Sequence, residues 1–217
     1  MSVIRRLPRY YRFLNQLKKE GVTRISSTEL SAKLGLTASQ IRQDLNCFGG
    51  FGQQGYGYIV EQLAAEIGHI LGVEHNYHTV LFGAGNLGRA IAAHMDFEAL
   101  GFHLIGIFDT SPQKIGTVIN GTEVMDTAIF EEFCQKDKPE MAVLCIPRTA
   151  VEATVDRLYP LGVHNYWNFS HYDISMKYPD AIVENVHLND SLLTLCYQIS
   201  NFKKPSAGIL AEKNETE

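Results

Sequence analysis

The 217-residue chain has no run of roughly 20 uncharged apolar residues, the length that a membrane-spanning helix needs. From Met1 to Gly21 it is basic and aromatic, with no apolar core of the kind a signal peptide carries, so the protein is expected in the cytoplasm with no membrane partner. Cysteine is scarce. The four, Cys47, Cys134, Cys145 and Cys196, are widely scattered with no C-x-x-C pair, which argues against a zinc site or a dithiol redox motif. They read as free, mostly structural thiols, and a redox role for one of them stays open because reactivity depends on local pKa and exposure.

What is present is uneven in charge. Residues 1–60 carry nine Lys or Arg against three acids, a net of +6, whereas the remainder is at −11. A basic first part on an acidic body points to a polyanion as the partner of that first part.

Apolar residues Leu7, Tyr10, Tyr11, Leu14 and Leu17 recur at helical spacing and Gly21 stops the run, which predicts a first amphipathic helix. Ser26 or Ser27 caps a second, with Glu29 in its first turn and Gly35 at its end. Thr37 caps a third that runs to about Phe48. Two short helices joined by Leu34-Gly35-Leu36 match a helix-turn-helix, and the third helix would enter the groove with Ser39, Gln40, Arg42, Gln43 and Asn46 outward. These side chains can meet base edges or phosphates. The segment Phe48 to Tyr58 alternates aromatics with five glycines and reads as a twisted hairpin, a wing with Gln53 and Gln54 at its tip. The bland alternative is a three-helix bundle with solvated basic faces.

Val60 to Gly72 is a further amphipathic helix, and Glu74-His-Asn-Tyr-His78 marks a junction. The strand Thr79–Phe82 then runs into Gly83-Ala84-Gly85-Asn86-Leu87-Gly88 and a helix-forming stretch, the context a dinucleotide-binding loop requires. Gly83 makes the tight turn, Gly85 admits a pyrophosphate against bare backbone, and Gly88 permits close helix packing. The phosphates would rest on the helix N-terminus. A second strand, His103 to Phe108, ends at Asp109, placed to bind the adenosine ribose hydroxyls and to repel a 2′-phosphate; NAD(H) is favoured over NADP(H), with nearby Lys114 softening that preference. A helix around Ala128 to Cys134, a strand Met141–Cys145, a helix Thr149–Leu161, a strand Asn165–Phe169 and a strand near Ala181 to Val186 complete a Rossmann-like, doubly wound parallel sheet. Ligands bind beyond the C-terminal ends of such strands, which adds Ile146, Pro147 and Arg148, and Asn168, Phe169 and Ser170, to the candidate cofactor contacts; ordinary loop roles remain the alternative. The last helix, about Asn189 to Asn201, carries more apolar surface than one sheet edge needs, and serves either dimerisation or packing on its own sheet.

The predicted organisation is an α/β chain: a winged-helix domain over 1–60, a linker helix and junction over 61–77, a dinucleotide-binding domain over 78–186, a C-terminal helix over 187–203 and a mobile tail over 204–217.

Several segments in order, namely Leu7-Pro8-Arg9-Tyr10, Ile25 to Leu30, Ala38 to Leu45, the Phe48 to Tyr58 wing, Gly83 to Gly88, Phe108-Asp109 with Lys114 to Gly116, and Asn168-Phe169 with Glu184 to Val186, resemble the Rex family of bacterial redox-sensing transcriptional repressors over residues 4–202. The resemblance implies a homodimer, released by NADH from an inverted-repeat operator in double-stranded DNA, with the C-terminal helix swapped onto the partner subunit. It implies NADH and NAD⁺ as ligands and adds Arg9, Gly55 and Tyr56 to the DNA-contacting set. Two departures stand out. Gln54 occupies a wing position that is usually Arg, and Gln43 one that is often Lys. The family often couples cofactor, swapped helix and DNA domain through a Tyr, an Asp and an Arg; Arg12 matches the last, but His94 and His187 hold the other places and Leu188 replaces an aromatic.

The rival reading is a small NAD-dependent dehydrogenase. Against it, no Tyr-x-x-x-Lys or His–Asp pair stands at a plausible hydride site and no substrate domain follows. A constitutive DNA-binding scaffold would leave the glycine loop and Asp109 unexplained.

Overall fold

The computed structural model describes residues 3–49, 52–53 and 56–202, with 52–53 described in their backbone alone. It forms two compact units, Met1–Asn76 with Phe97–Phe102, and Tyr77–Asp96 with His103–Glu217.

In the first unit α1 (Leu7–Lys19) begins with Pro8 in its first turn, where the missing N–H costs no hydrogen bond. Leu7, Tyr10, Leu14 and Leu17 form its buried stripe. After β1 (Arg24–Ile25) comes α2 (Ser27–Leu34), opened by a reciprocal cap: Glu29 N–H donates to Ser26 Oγ at 3.1 Å and Ser26 N–H to Glu29 Oε2 at 2.7 Å. Gly35, at φ +61°, ends α2. Thr37 Oγ1 accepts from Gln40 N at 3.1 Å and starts α3 (Ala38–Asn46). β2 (Gly52–Gln53) and β3 (Gly57–Ile59) pair antiparallel, and β3 also pairs with β1, giving the order β1-β3-β2. Gly57 is obligatory there, since φ is +69° and a Cβ would stand 2.7 Å from the Ile25 carbonyl oxygen. α4 (Val60–Leu71) packs back on α1, and Val60, Leu63, Ala64 and Ile67 share one core with Leu14, Leu30, Ile41 and Leu45. α1, α2, α3, β3 and α4 therefore share one packed core.

The second unit runs β4 (Tyr77–Phe82), α5 (Asn86–His94), β5 (Phe102–Asp109), β6 (Val118–Ile119), β7 (Thr122–Asp126), α6 (Phe130–Asp137), β8 (Met141–Leu144), α7 (Arg148–Leu158), β9 (Asn165–Asn168), β10 (Ile182–Asn185) and α8 (Leu188–Phe202). The sheet order is β10-β9-β8-β4-β5-β7-β6. β10, β9, β8 and β4 are successively parallel, with Asn185, Asn168, Leu144 and Phe82 in register, and β7 is parallel to β5. The short β6 pairs antiparallel with β7, joined to it through Asn120 and Gly121, both at positive φ (+48° and +83°). That Asn-Gly pair is the hairpin turn whose twist matches the strands, and it adds an antiparallel edge to the expected parallel sheet. Two helix ends also shift. The expected Ala128–Cys134 helix begins at Phe130, because Asp126 first caps a 3-10 turn over Thr127–Ile129. The expected Thr149–Leu161 helix starts at Arg148 and stops at Leu158, where Pro160 draws the chain into a 3-10 turn.

Phe82, Phe108 and Phe130 lie at the centre of the second core, with ring centroids 5.2 to 6.2 Å apart. Between β4 and β8 the chain order reverses direction across the sheet, so their C-terminal ends border the crevice where this architecture binds ligands.

Candidate functional site

At the crevice the three glycines of the loop differ in what they need. Gly83 has φ +98° and a Cβ there would come within 2.5 Å of the Cys145 carbonyl oxygen and 3.0 Å of Ile146 Cγ2. The β8 exit loop thus lies directly against the β4 exit loop. Gly88 packs so closely that a Cβ would sit 1.8 Å from the Gly83 carbonyl oxygen. Gly85 is different: its φ is −74° and a Cβ would meet nothing within 4 Å. No packing among the described residues asks for glycine at that position, and open space there is what a pyrophosphate-binding loop needs. Gly85 is also the N-cap of α5 and supplies no side-chain hydrogen bond, and no acid stands in the first turn. The first N–H groups of Asn86, Leu87 and Gly88 therefore face outward from a positive helix end, which suits a pyrophosphate.

Asp109, at the end of β5, is buried, with Oδ2 accepting from Ala84 N–H at 2.7 Å and Lys114 Nζ at 3.0 Å, and Oδ1 accepting from Ser111 N–H at 2.8 Å. Burial pushes its carboxyl up, but the hydrogen bonds from Ser111, Lys114 and Ala84 together outweigh that and hold it below the usual carboxylate range. It stays ionised next to the loop. Lys114 balances part of its charge.

Across the sheet, Ile146 is half-buried, and Pro147 and Arg148 are exposed at the start of α7, whose N-terminus also lacks a side-chain cap. Asn168 is fully enclosed. Its amide N–H groups donate to Tyr172 O at 2.9 Å and Asn185 Oδ1 at 2.7 Å, and its Oδ1 accepts from Ser170 N at 3.0 Å and Oγ at 2.7 Å. Asn168 and Ser170 thus pin the β9 exit loop, and Phe169 between them is half-buried, its ring centroid 4.6 Å from that of Trp167. Burial pushes the Cys145 thiol beside them up to about 12, which disfavours the reactive thiolate.

The first unit presents α3. Ser39, Arg42, Gln43 and Asn46 are exposed along it, Gln40 is half-buried, and Arg42 Nη1 donates to Ser27 Oγ at 3.0 Å. Arg9 is exposed on α1, and Tyr56, 70% exposed, accepts at its carbonyl from Arg24 Nη1 at 3.2 Å. Gln54 and Gly55 lie outside the described residues, as do the Gln53 side chain and residues 204–217. Behind α3 stands a residue that pattern reading missed. Asp44 is 2% exposed, and Arg6 donates to it through Nε and Nη2 at 2.6 Å each, with Tyr10 Oη at 2.7 Å and Gln40 Nε2 at 2.8 Å. Burial raises the Asp44 carboxyl, but the donors Arg6, Tyr10 and Gln40 and the guanidinium charge bring it below its ordinary value. The available signal was a lone acid on an otherwise acid-free helix face.

Among the expected coupling residues, Arg12 and His94 are exposed on α1 and α5, and Leu188, 64% exposed, opens α8. His187 Nδ1 lies 3.1 Å from His171 Nδ1 with the rings nearly parallel, a pairing not foreseen from the sequence. No helix among the described residues is long and apolar enough to cross a membrane, and no group of three or more His, Cys, Asp or Glu residues there could hold a metal.

Two family models match: "Putative DNA-binding protein N-terminus" over residues 1–46 and "CoA binding domain" over residues 74–172. The redox-sensing transcriptional repressor Rex of Thermoanaerobacter sp. strain X514 is 53% identical over 207 residues, covering 94% of this chain and 92% of its own. Its counterpart in Clostridium perfringens strain SM101 is 47% identical over 201 residues, covering 93% and 94%. The crystal structure of RSP in complex with beta-NAD⁺ and operator DNA matches at 52% identity and TM-score 0.84 over 93% of this chain and 94% of that one. RSP with beta-NADH matches at 49% identity and TM-score 0.83 over the same shares. With half of its residues shared along almost its entire length, the chain belongs to the Rex family of redox-sensing transcriptional repressors.

Proposed function

We propose that the protein is a cytoplasmic, dimeric transcriptional repressor that holds an inverted-repeat operator and is released from it by NADH. The observation that carries this reading is that one homologue, RSP, has been solved both with beta-NAD⁺ and operator DNA and with beta-NADH, and that this chain has the elements for each ligand. It has no catalytic role.

The DNA-contacting set is Arg9, the α3 residues Ser39, Gln40, Arg42, Gln43 and Asn46, and the wing residues Gln53, Gln54, Gly55 and Tyr56. The dinucleotide is held by Gly83 to Gly88, by Asp109 and Lys114 at the adenosine ribose, and by the Ile146–Arg148 and Asn168–Ser170 loops. A coenzyme A ligand, which also carries an adenosine and a pyrophosphate, fits less well, because its ribose 3′-phosphate would face the ionised Asp109.

α8 is exposed along its whole length in the single chain, with Leu192 65%, Leu193 67% and Leu195 49% accessible. Such a surface belongs in an interface between copies, and the swapped helix is its use. Two recognition helices must lie about 34 Å apart to enter successive major grooves, so a modest rotation of subunits abolishes binding. NADH shifts that equilibrium only by binding the released arrangement more tightly than the bound one. Arg12, His94, His187 and Leu188 stand in the places through which that rotation is coupled to the cofactor.

The test is fluorescence anisotropy of a labelled AT-rich inverted repeat at fixed salt, titrated with NADH and separately with NAD⁺. Release at NADH concentrations where NAD⁺ leaves the complex intact supports the reading. Binding indifferent to both ligands, or none to any duplex, overturns it.

A further inference from the structure

The buried carboxylate behind α3 reaches the surface of that helix through one side chain. Asp44 has room for four hydrogen bonds and receives four: Arg6 Nη2 and Gln40 Nε2 at Oδ1, Arg6 Nε and Tyr10 Oη at Oδ2, all within 2.8 Å. Arg6 and Tyr10 come from the start of α1, Gln40 from the first turn of α3 itself. An ionised carboxylate only accepts, so the Gln40 amide can face it in a single sense, nitrogen inward. Its Oε1 and second N–H have no other partner among the described residues.

We infer that Asp44 is a positioning residue for sequence recognition, acting through Gln40 to present one outward acceptor and one outward donor to the major groove. This rests on the reading that α3 enters that groove. An acceptor beside a donor matches adenine, whose N6–H donates and N7 accepts. Guanine offers two acceptors at the same edge and would face Oε1 with its O6. The brace therefore selects A·T over G·C at one position in each half-site. Arg6 has a second effect, cancelling the one negative charge that α3 would otherwise bring towards the phosphates. Because the amide is oriented before DNA arrives, less side-chain freedom is lost on binding.

The experiment measures operator affinity by anisotropy at fixed salt for a series of duplexes in which each A·T pair of the half-site is replaced in turn by G·C. Wild type is compared with Gln40→Ala, Asp44→Asn and Gln40→Glu, each checked for folding by circular dichroism. One position should show a loss of roughly five- to a hundred-fold in wild type, the usual range for a bidentate contact, and lose most of that discrimination in Gln40→Ala while the other positions keep theirs. Asp44→Asn should lose discrimination at the same position. If that variant does not fold, Gln40→Glu, which has no N–H for either Asp44 or the base, should lose it instead. An unchanged profile in Gln40→Ala or in Gln40→Glu overturns the inference, as does a folded Asp44→Asn protein that binds every duplex more weakly by one common factor. Failure of wild type to bind any duplex would instead overturn the DNA-binding reading.

Discussion

Ala84 donates its backbone N–H to Asp109 Oδ2 at 2.7 Å, so the glycine loop after β4 is tied to the carboxylate that ends β5. The same oxygen takes the Lys114 ammonium at 3.0 Å. A group that shapes the loop and, as proposed, also binds the ribose should be felt in ligand affinity and in ligand choice. Asp109→Ala is expected to weaken NADH binding by about tenfold to a hundredfold, the range for a hydrogen bond to a charged group, and to narrow the preference for NADH over NADPH. Isothermal titration calorimetry with both nucleotides checks it; an unchanged ratio would remove Asp109 from the ribose site.

The loop glycines should separate binding from folding. A Cβ at Gly85 meets no atom within 4 Å, whereas one at Gly88 would stand 1.8 Å from the Gly83 carbonyl oxygen. Gly85→Ala should melt at the wild-type temperature yet bind NADH poorly, and Gly88→Ala should melt well below it, as seen by circular dichroism. Equal melting losses in the two variants would show that Gly85 is held by packing.

Asp44 and Asp109 both have carboxyls held below the ordinary value of 3.8. A depressed folded-state pKa contributes stability that is present above the unfolded value and disappears as pH falls through the folded one. Resistance to urea should therefore be level near neutral pH and decline below about pH 4, and Asp44→Asn should flatten that decline. An acid profile identical in the variant would show that Asp44 contributes nothing to it.

The exposed leucines of α8 provide a test of assembly. Introducing charge with Leu192→Glu and Leu195→Glu together should yield a monomer by light scattering, with the secondary structure kept and operator affinity reduced. A dimer that persists would place the interface elsewhere on the chain.

Much of this was legible from residue order. The cap at Thr37 and the stop at Gly35 formed where local chemistry predicted them, and of the two serines offered for α2 it is Ser26, with Glu29, that makes the cap. The glycine loop was legible because strand, tight turn and helix must follow in sequence. The packing partner of α4 was not: periodicity shows that Leu63 and Ile67 are buried, but not that they share a core with Leu14 and Ile41. The β6–β7 hairpin is two residues paired with two, too short for alternation to register, although Asn120-Gly121 was its turn signal. The Asp44 cluster and the His171–His187 pair join residues far apart in the chain, 38 and 16 positions respectively, and only the fold brings such partners together.

If NADH and operator compete through one conformational equilibrium, their coupling must be reciprocal. The most direct measurement is calorimetric titration of NADH into the protein alone and into its complex with the operator duplex at the same salt. The duplex should weaken NADH binding by the same factor by which NADH weakens duplex binding. Equal NADH affinity with and without DNA would contradict it.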